Sequence, residues 1–381
     1  MHRIRKAPAS AAALLAVAAL TVSACDSGSA SPAPDDESAG PGCPDVVADA
    51  RRAVERAMDV DTPWSGPTTG PEAVPDQTIV YIAQTMTNPG VAGVATGVQE
   101  AAWAIGWDVE ILDGQGTADG IRSAFDEAIA LDASGIVVGS FDPSTTAEQI
   151  ERANDAGIPV IGWHAVTEPG PSQGPDLFTN VTTRVEDVAR IAADWIIADS
   201  NGRAGVVLFT DALLPFAKLK SDLIKEELET CRGVTVLSYE DIPIPEASSR
   251  TVDEVTSLLS RFGDSWTHSA AINDLYFDHA VPALRAAELD GHGAPFNIGA
   301  GDGDPSAFER INGQEYQAAT VPEPLSEQGW QIIDEFNRAF SGEPASGYVA
   351  PVHITTRENS GGAVFWDSEG YREAYRQIWG R

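Results

Sequence analysis

From Thr78 onward the chain repeats one local pattern, and that pattern leaves few folds open to it. TIVYIA (78–83) is a continuous apolar run of strand length. Val94, Val98, Ala101 and Ile105 then recur at helical spacing, and Gly106 stands where a helix can end. VEIL (109–112) reads as the next strand, and Ile121, Ala124, Phe125, Ala128 and Ile129 mark the next helix. GIVVGS (135–140) follows as a strand, Thr145 and Glu148 have the spacing of a capping box, Gly157 stops that helix, and IPVIGW (158–163) is a fourth strand. Strands alternating with helices of this length predict right-handed βαβ units on a parallel sheet.

The rhythm then restarts. Val188, Ile191, Ala192 and Trp195 mark a helix before AGVVLF (204–209), and a helix over 215–230 leads to VTVLSY (234–239). Val252, Val255, Leu258, Leu259 and Phe262 give another helix. HSAAIN (268–273), FNIGA (296–300), YQAATV (316–321) and VHITT (352–356) are further strands, with helices near 275–287, 305–312 and 325–340. So many units exceed one ordinary sheet, and the expected class is α/β with two Rossmann-like lobes. Residues 44–58 form an amphipathic helix outside this rhythm. The stretch 59–77, with Trp64 and GPTTGP, reads as an ordered, turn-rich link.

The amino terminus fixes the compartment. Arg3, Arg5 and Lys6 precede an apolar run from about Ala11 to Val22, and Val22-Ser23-Ala24-Cys25 follows. A basic start, a short apolar run and small residues before a cut site make a secretory signal (1–24), and small residues directly before a Cys match a bacterial lipobox. The run is shorter than the roughly 20 residues that cross a bilayer. Cleavage would leave Cys25 acylated, so the expectation is an exported, lipid-anchored, extracytoplasmic chain that meets the membrane through its anchor alone. Residues 25–42 are mostly Ser, Pro, Gly and Asp with almost nothing to bury, the composition of a disordered tether. Cys43 and Cys231 remain as an even pair in an oxidising compartment, which suggests a disulfide; two independent buried thiols are the alternative.

Charge narrows the partners. The formal charge is −33, and loss of the signal removes three basic residues and no acidic one. Nucleic acid and anionic lipid surfaces are poor partners for such a chain. Catalytic signatures are missing too: there is no GxSxG, HExxH or P-loop. DGQGTADG (113–120) lacks dinucleotide spacing. GDGDPSAFE (301–309) begins like a calcium loop, but Ala307 and Phe308 stand where such a loop needs other residues. No metal, cofactor or enzymatic activity is expected.

What stands out is polar and aromatic residues just after strands, the place where open α/β sheets bind ligands. Gln84, Thr87 and Asn88 follow the first strand, Phe141 and Asp142 the third, and Trp163 and His164 the fourth. Asp211, Asn273, Asp274, Asp302 and Glu323 follow strands in the second half. Carboxylates and amides there can take paired hydrogen bonds from hydroxyls, and a Trp face suits the apolar face of a sugar ring. Asp and Asn also cap helices, and Trp163 also fits a core.

At these residues the chain closely resembles the ribose-binding-like, type I periplasmic binding proteins of sugar ABC transporters, from about Thr78 to Thr356. The matching motifs are Thr87-Asn88-Pro89, Ala156-Gly157-Ile158-Pro159-Val160-Ile161, Ile272-Asn273-Asp274, Gly301-Asp302-Gly303 and Gln317-Ala318-Ala319-Thr320-Val321. The resemblance implies two lobes joined by three crossovers, with ligand in the cleft. It implies a first lobe over 78–178 plus about 324–350, a second over about 179–323 plus 351–366, and a tail helix over 367–381.

Carried over, the family's ligand residues fall on Asn88, on Lys220 in place of an Arg, on Asn273 and Asp274, and on Asp302. His164, beside Trp163, replaces an Asp, Glu323 replaces a Gln at the last hinge, and Gly90-Val91 replaces an aromatic pair. These departures argue against ribose itself, while the hydrogen-bonding frame of the second lobe is kept. The resemblance implies a monomeric, lipid-anchored binding protein that delivers a monosaccharide or sugar alcohol to an ABC permease; the alternative is a ligand-sensing receptor that signals to a membrane partner.

Overall fold

The computed structural model describes residues 42–59 and 62–381. The expected signal, Cys25 and the tether up to Pro41 lie outside them. Helix α1 (Pro44–Ala57) starts on a proline, carries Asp45 in its first turn and Arg56 in its last, and buries Val47, Ala50 and Val54 along one face.

The first lobe is built from β1 (Thr78–Ala83), α2 (Pro89–Ile105), β2 (Asp108–Asp113), α3 (Ala118–Ala130), β3 (Gly135–Gly139), α4 (Ala147–Asp155), β4 (Val160–Trp163), β5 (Gly170–Gln173) and β6 (Asp176–Val181). Its sheet runs β2-β1-β3-β4-β6-β5, parallel except for β5. Ile79 to Ala83 are fully buried, as expected of a strand covered on both faces, which is why β1 reads as an unbroken apolar run.

The second lobe follows with α5 (Val185–Asp199), β7 (Ala204–Thr210), α6 (Pro215–Glu229), β8 (Val234–Asp241), α7 (Ala247–Phe262), β9 (His268–Ala271), α8 (Leu275–Ala286), β10 (Phe296–Gly299), α9 (Pro305–Gly313) and β11 (Ala319–Thr320). After α10 (Leu325–Phe340) comes β12 (Thr355–Thr356), and α11 (Tyr371–Trp379) ends the fold. The second sheet runs β12-β11-β10-β9-β7-β8, parallel except for β12. Read from the second strand of each lobe, both sheets share one order, so each has its switch point where the chain winds to opposite sides.

Three segments join the lobes: 182–184 between β6 and α5, 321–324 between β11 and α10, and 341–354 between α10 and β12. Helix α10 lies on α2 in the first lobe, and Gly97 and Gly329 let the two backbones touch. Two further passes were not anticipated. Helix α1 packs on α5 in the second lobe, whereas Trp64, a few residues on, packs on Tyr348 and Tyr375 beside the first. The chain later returns to the first lobe to lay Tyr371, Tyr375 and Trp379 of α11 on Trp330. The passes are tied to each other: Trp64 donates its backbone N–H to Glu369 O (3.0 Å) and Glu369 donates to Thr62 O (2.9 Å). Cys43 and Cys231 form a disulfide, Cα to Cα 5.4 Å, that fastens the start of α1 beyond the end of α6.

Three sequence expectations need correction. The hairpin β5–β6 was not foreseen, because β5 (GPSQ) has no apolar run and β6 (DLFTNV) mixes polar with apolar residues. Asn180 sits buried there and is fully used, accepting from Ala165 N and donating to Val166 O and Glu168 O. The Thr145–Glu148 capping box does not form. Asp142 accepts from Ser144 N and starts a 3₁₀ turn over Pro143–Thr146 instead. The strands expected at 316–321 and 352–356 are two-residue ladders.

Candidate functional site

The loops at the carboxyl ends of β1, β3 and β4 face those of β7, β9 and β10. Asn88, Ser140 and His164 from the first lobe and Phe216, Lys220, Asn273 and Asp302 from the second line one cleft, together with the apolar Leu214, Ile244 and Ile272. The space left inside is about 30 Å³, room for roughly one water. Entry of anything larger takes a parting of the lobes.

Each polar group is placed by its loop. Asn88 caps α2 with its Oδ1 on Gly90 N (3.0 Å), which leaves its amide nitrogen uncommitted. Gly90 is required there, because a Cβ would run into the Asp302 carboxyl arriving from the other lobe. Ser140, His164 and Asp302 all take left-handed backbone (φ 64°, 48° and 43°), a strained state for non-glycine residues that gathers at binding sites.

Lys220 is buried on α6. Its ammonium donates to Ala300 O (2.6 Å) and Ile272 O (3.2 Å) and lies 5.0 Å over the Phe216 ring. Burial lowers its pKa, against the pull of Glu323, Asp302 and Asp274. Burial pushes Asp302 up to about 7, with Lys220 pulling it back and Asp304 and Glu323 adding to the rise. Asp302 Oδ2, Asn273 Oδ1 and His164 Nε2 are buried without a hydrogen-bond partner.

Glu323 anchors the hinge edge of the cleft. Burial alone would raise its pKa, but the adjacent His164, Lys220 and a hydrogen bond from Thr183 outweigh that and hold it down at about 2. It accepts from Thr183 Oγ1 (2.7 Å) and Gln328 Nε2 (2.8 Å), and Gln328 accepts in turn from Trp163 Nε1 (2.7 Å). Thus the first and second joining segments meet on one carboxylate.

Of the residues expected from sequence, Asn88, His164, Lys220, Asn273 and Asp302 share the cleft wall, with Glu323 touching it through His164. Trp163 lies beneath the wall: the face expected to meet a sugar is covered by the His164 ring. Asp274 lies behind it, accepting from Gly303 N (2.7 Å), Thr320 Oγ1 (3.0 Å) and Gln317 Nε2, and so bracing the loops after β9 and β10. Phe141 faces away into the first-lobe core against Phe125. Gln84 is buried outside the lining, its backbone tied to Gly139 O and Gly116 N.

Sequence reading passed over Phe216 and Ser140. Phe216 had a signal: an aromatic directly after Pro215, in the first turn of a helix that follows a strand. In the loop at 301–309, Asp304 Oδ1 accepts from Ser306 N and Ala307 N at the start of α9. Among the described residues no cluster of metal-ligating side chains occurs, and no helix is long and apolar enough to cross a membrane.

A family described as the periplasmic binding protein domain matches residues 79–344. No curated protein sequence matches. Several solved structures share the fold. A sugar ABC transporter protein from Yersinia enterocolitica is 15% identical with a TM-score of 0.68, covering 82% of this chain and 99% of its own. A solute-binding protein from Agrobacterium vitis, solved with α-D-tagatopyranose, is 14% identical with a TM-score of 0.67, covering 76% of this chain and 97% of its own. One from Actinobacillus succinogenes, solved with D-allose, is 16% identical with a TM-score of 0.66, covering 74% and 99%. At such identities the likeness is one of fold.

Proposed function

The chain belongs to the periplasmic binding protein domain family, and on that premise we propose that it captures a monosaccharide or sugar alcohol between its lobes for an ABC importer. The chain is a binder and carries out no chemistry of its own. The observation that supports the sugar reading most is the set of buried, unpaired groups in the cleft. Asn273 Oδ1 and Asp302 Oδ2 are buried without a partner, and the Asn88 amide nitrogen is left over once Oδ1 has capped α2. A neutral polyhydroxy molecule supplies a donor and an acceptor through each hydroxyl. The solved relatives named with bound sugars have the same fold.

The mechanism is hinge closure. A ligand that touches both walls binds the closed form better and shifts the population toward it. The permease would read that closed form. Acylation at Cys25 would keep the protein at the outer face of the membrane, working as a monomer. A thermal-shift screen over pentoses, hexoses and alditols tests the reading. A true ligand at 100 times its dissociation constant adds about 2.7 kcal/mol of stability, and a flat response across the screen contradicts it. Release of a processed Cys25→Ser protein into the medium tests the anchor; unchanged partitioning into detergent refutes it.

A further inference from the structure

Across the cleft, one side chain stacks on aromatic rings of both lobes. His164 leaves β4 in left-handed backbone, and its imidazole lies nearly parallel to Trp163 of its own lobe, 4.2 Å between centroids and 13° between planes. The other face of the imidazole lies against Phe216 of the opposite lobe, 4.5 Å away and at 22°. Its Nε2 stands 3.5 Å from Glu323 Oε1 at the hinge. Burial lowers the imidazole pKa, with Glu323 opposing, and three rings stack from one lobe to the other. The cavity beside this stack is about 30 Å³, far less than a sugar ring occupies.

We propose that His164 determines what the cleft admits: its ring latches the lobes in the slot between Trp163 and Phe216, and a ligand ring enters by taking that slot. The identity of the ligand rests on the sugar reading above; the latch does not. A cyclic sugar has a flat apolar face and can replace one stack by another. An open-chain alditol has no such face, so the latch favours rings. The latch also lowers apparent affinity, because a ligand must wait for the fraction of molecules that are open.

Small-angle scattering and calorimetric titration on wild type, His164→Gly and Phe216→Ala test the latch. Glycine suits the left-handed backbone at this position, so His164→Gly removes the ring without straining the loop. Both variants should show a larger radius of gyration than wild type before sugar is added. His164→Gly should bind a cyclic sugar about tenfold more tightly, as expected if an open fraction near one in ten becomes dominant. Phe216→Ala should bind it more weakly, having lost one face of the slot. Melting curves show whether each variant is folded, and Phe216→Leu replaces Phe216→Ala if that one is not.

An unchanged radius in both variants, or weaker binding by His164→Gly, overturns the proposal. A tighter alditol than any cyclic sugar overturns the exchange of ring for ring. If no sugar binds any of the three proteins, the sugar reading fails, while the scattering still decides the latch.

Discussion

Asp302 shows how a single residue carries a cost that only function explains. Its carboxyl is buried at left-handed backbone, packed on Gly90 of the opposite lobe, with Oδ2 unpaired. Burial lifts its folded pKa to about 7, against about 3.9 for a free Asp. The folded state therefore holds a proton that the unfolded state has lost, so stability from this group is full below about pH 4 and falls as pH rises toward 7. Asp274, pushed up to about 8 by burial and Asp304 despite Arg310, adds a fall of the same sign over a wider window. Asp302→Asn, which stays neutral, should melt higher than wild type at pH 8 and equal to it near pH 4. A constant difference across that range would mean the carboxyl is not buried as described. The residue was legible in the sequence as the Asp of Gly301-Asp302-Gly303; its burial and its contact with Gly90 were not, because they arise only when two lobes meet.

At the scale of elements, α2 and α10 pack closely at Gly97 and Gly329, a contact the sequence did not announce. A Cβ on Gly329 would come within 2.5 Å of the backbone of Gly97. Gly329→Ala must push the helices apart. Overpacking of this kind costs about 1–3 kcal/mol, occasionally more, and a fall in melting temperature is expected; an unchanged one would mean the helices do not touch there. The disulfide belongs to the same scale. Thiol counting on unfolded, unreduced protein should find neither Cys43 nor Cys231 free. A Cys43→Ser, Cys231→Ser pair should lose about 2–4 kcal/mol, while two free thiols in wild type would remove the bond from the account.

Periodic apolar spacing made most helices and central strands readable, since buried parallel strands are continuous apolar runs. The β5–β6 hairpin was hidden because Asn180 satisfies its own buried amide in loops that no local pattern reveals. The passes of Trp64 and α11 were hidden for another reason. Tyr348, which anchors Trp64, lies far from it in sequence, and Trp330, which anchors α11, announces nothing about which lobe it serves.

For the whole molecule, the central claim is that two strand-end loop sets converge on a cleft built for hydroxyls. Asn88, Asn273 and Asp302 were legible because strand ends are where such sheets bind ligands, and Lys220, on α6, came through the family resemblance alone. Phe141 misled because a residue two positions past a strand end can as well turn into the core, and Trp163 misled because His164 covers it. The measurement that tests the claim most directly is calorimetric titration of the best sugar from the stability screen into wild type, Asp302→Ala and Asn273→Ala. Leaving a buried ligand hydroxyl unpaired costs about 1–3 kcal/mol. The account therefore predicts one site in wild type and binding weaker by about tenfold to a hundredfold in each folded variant, at 1.4 kcal/mol per decade. Wild-type affinity in a folded Asp302→Ala protein would contradict it.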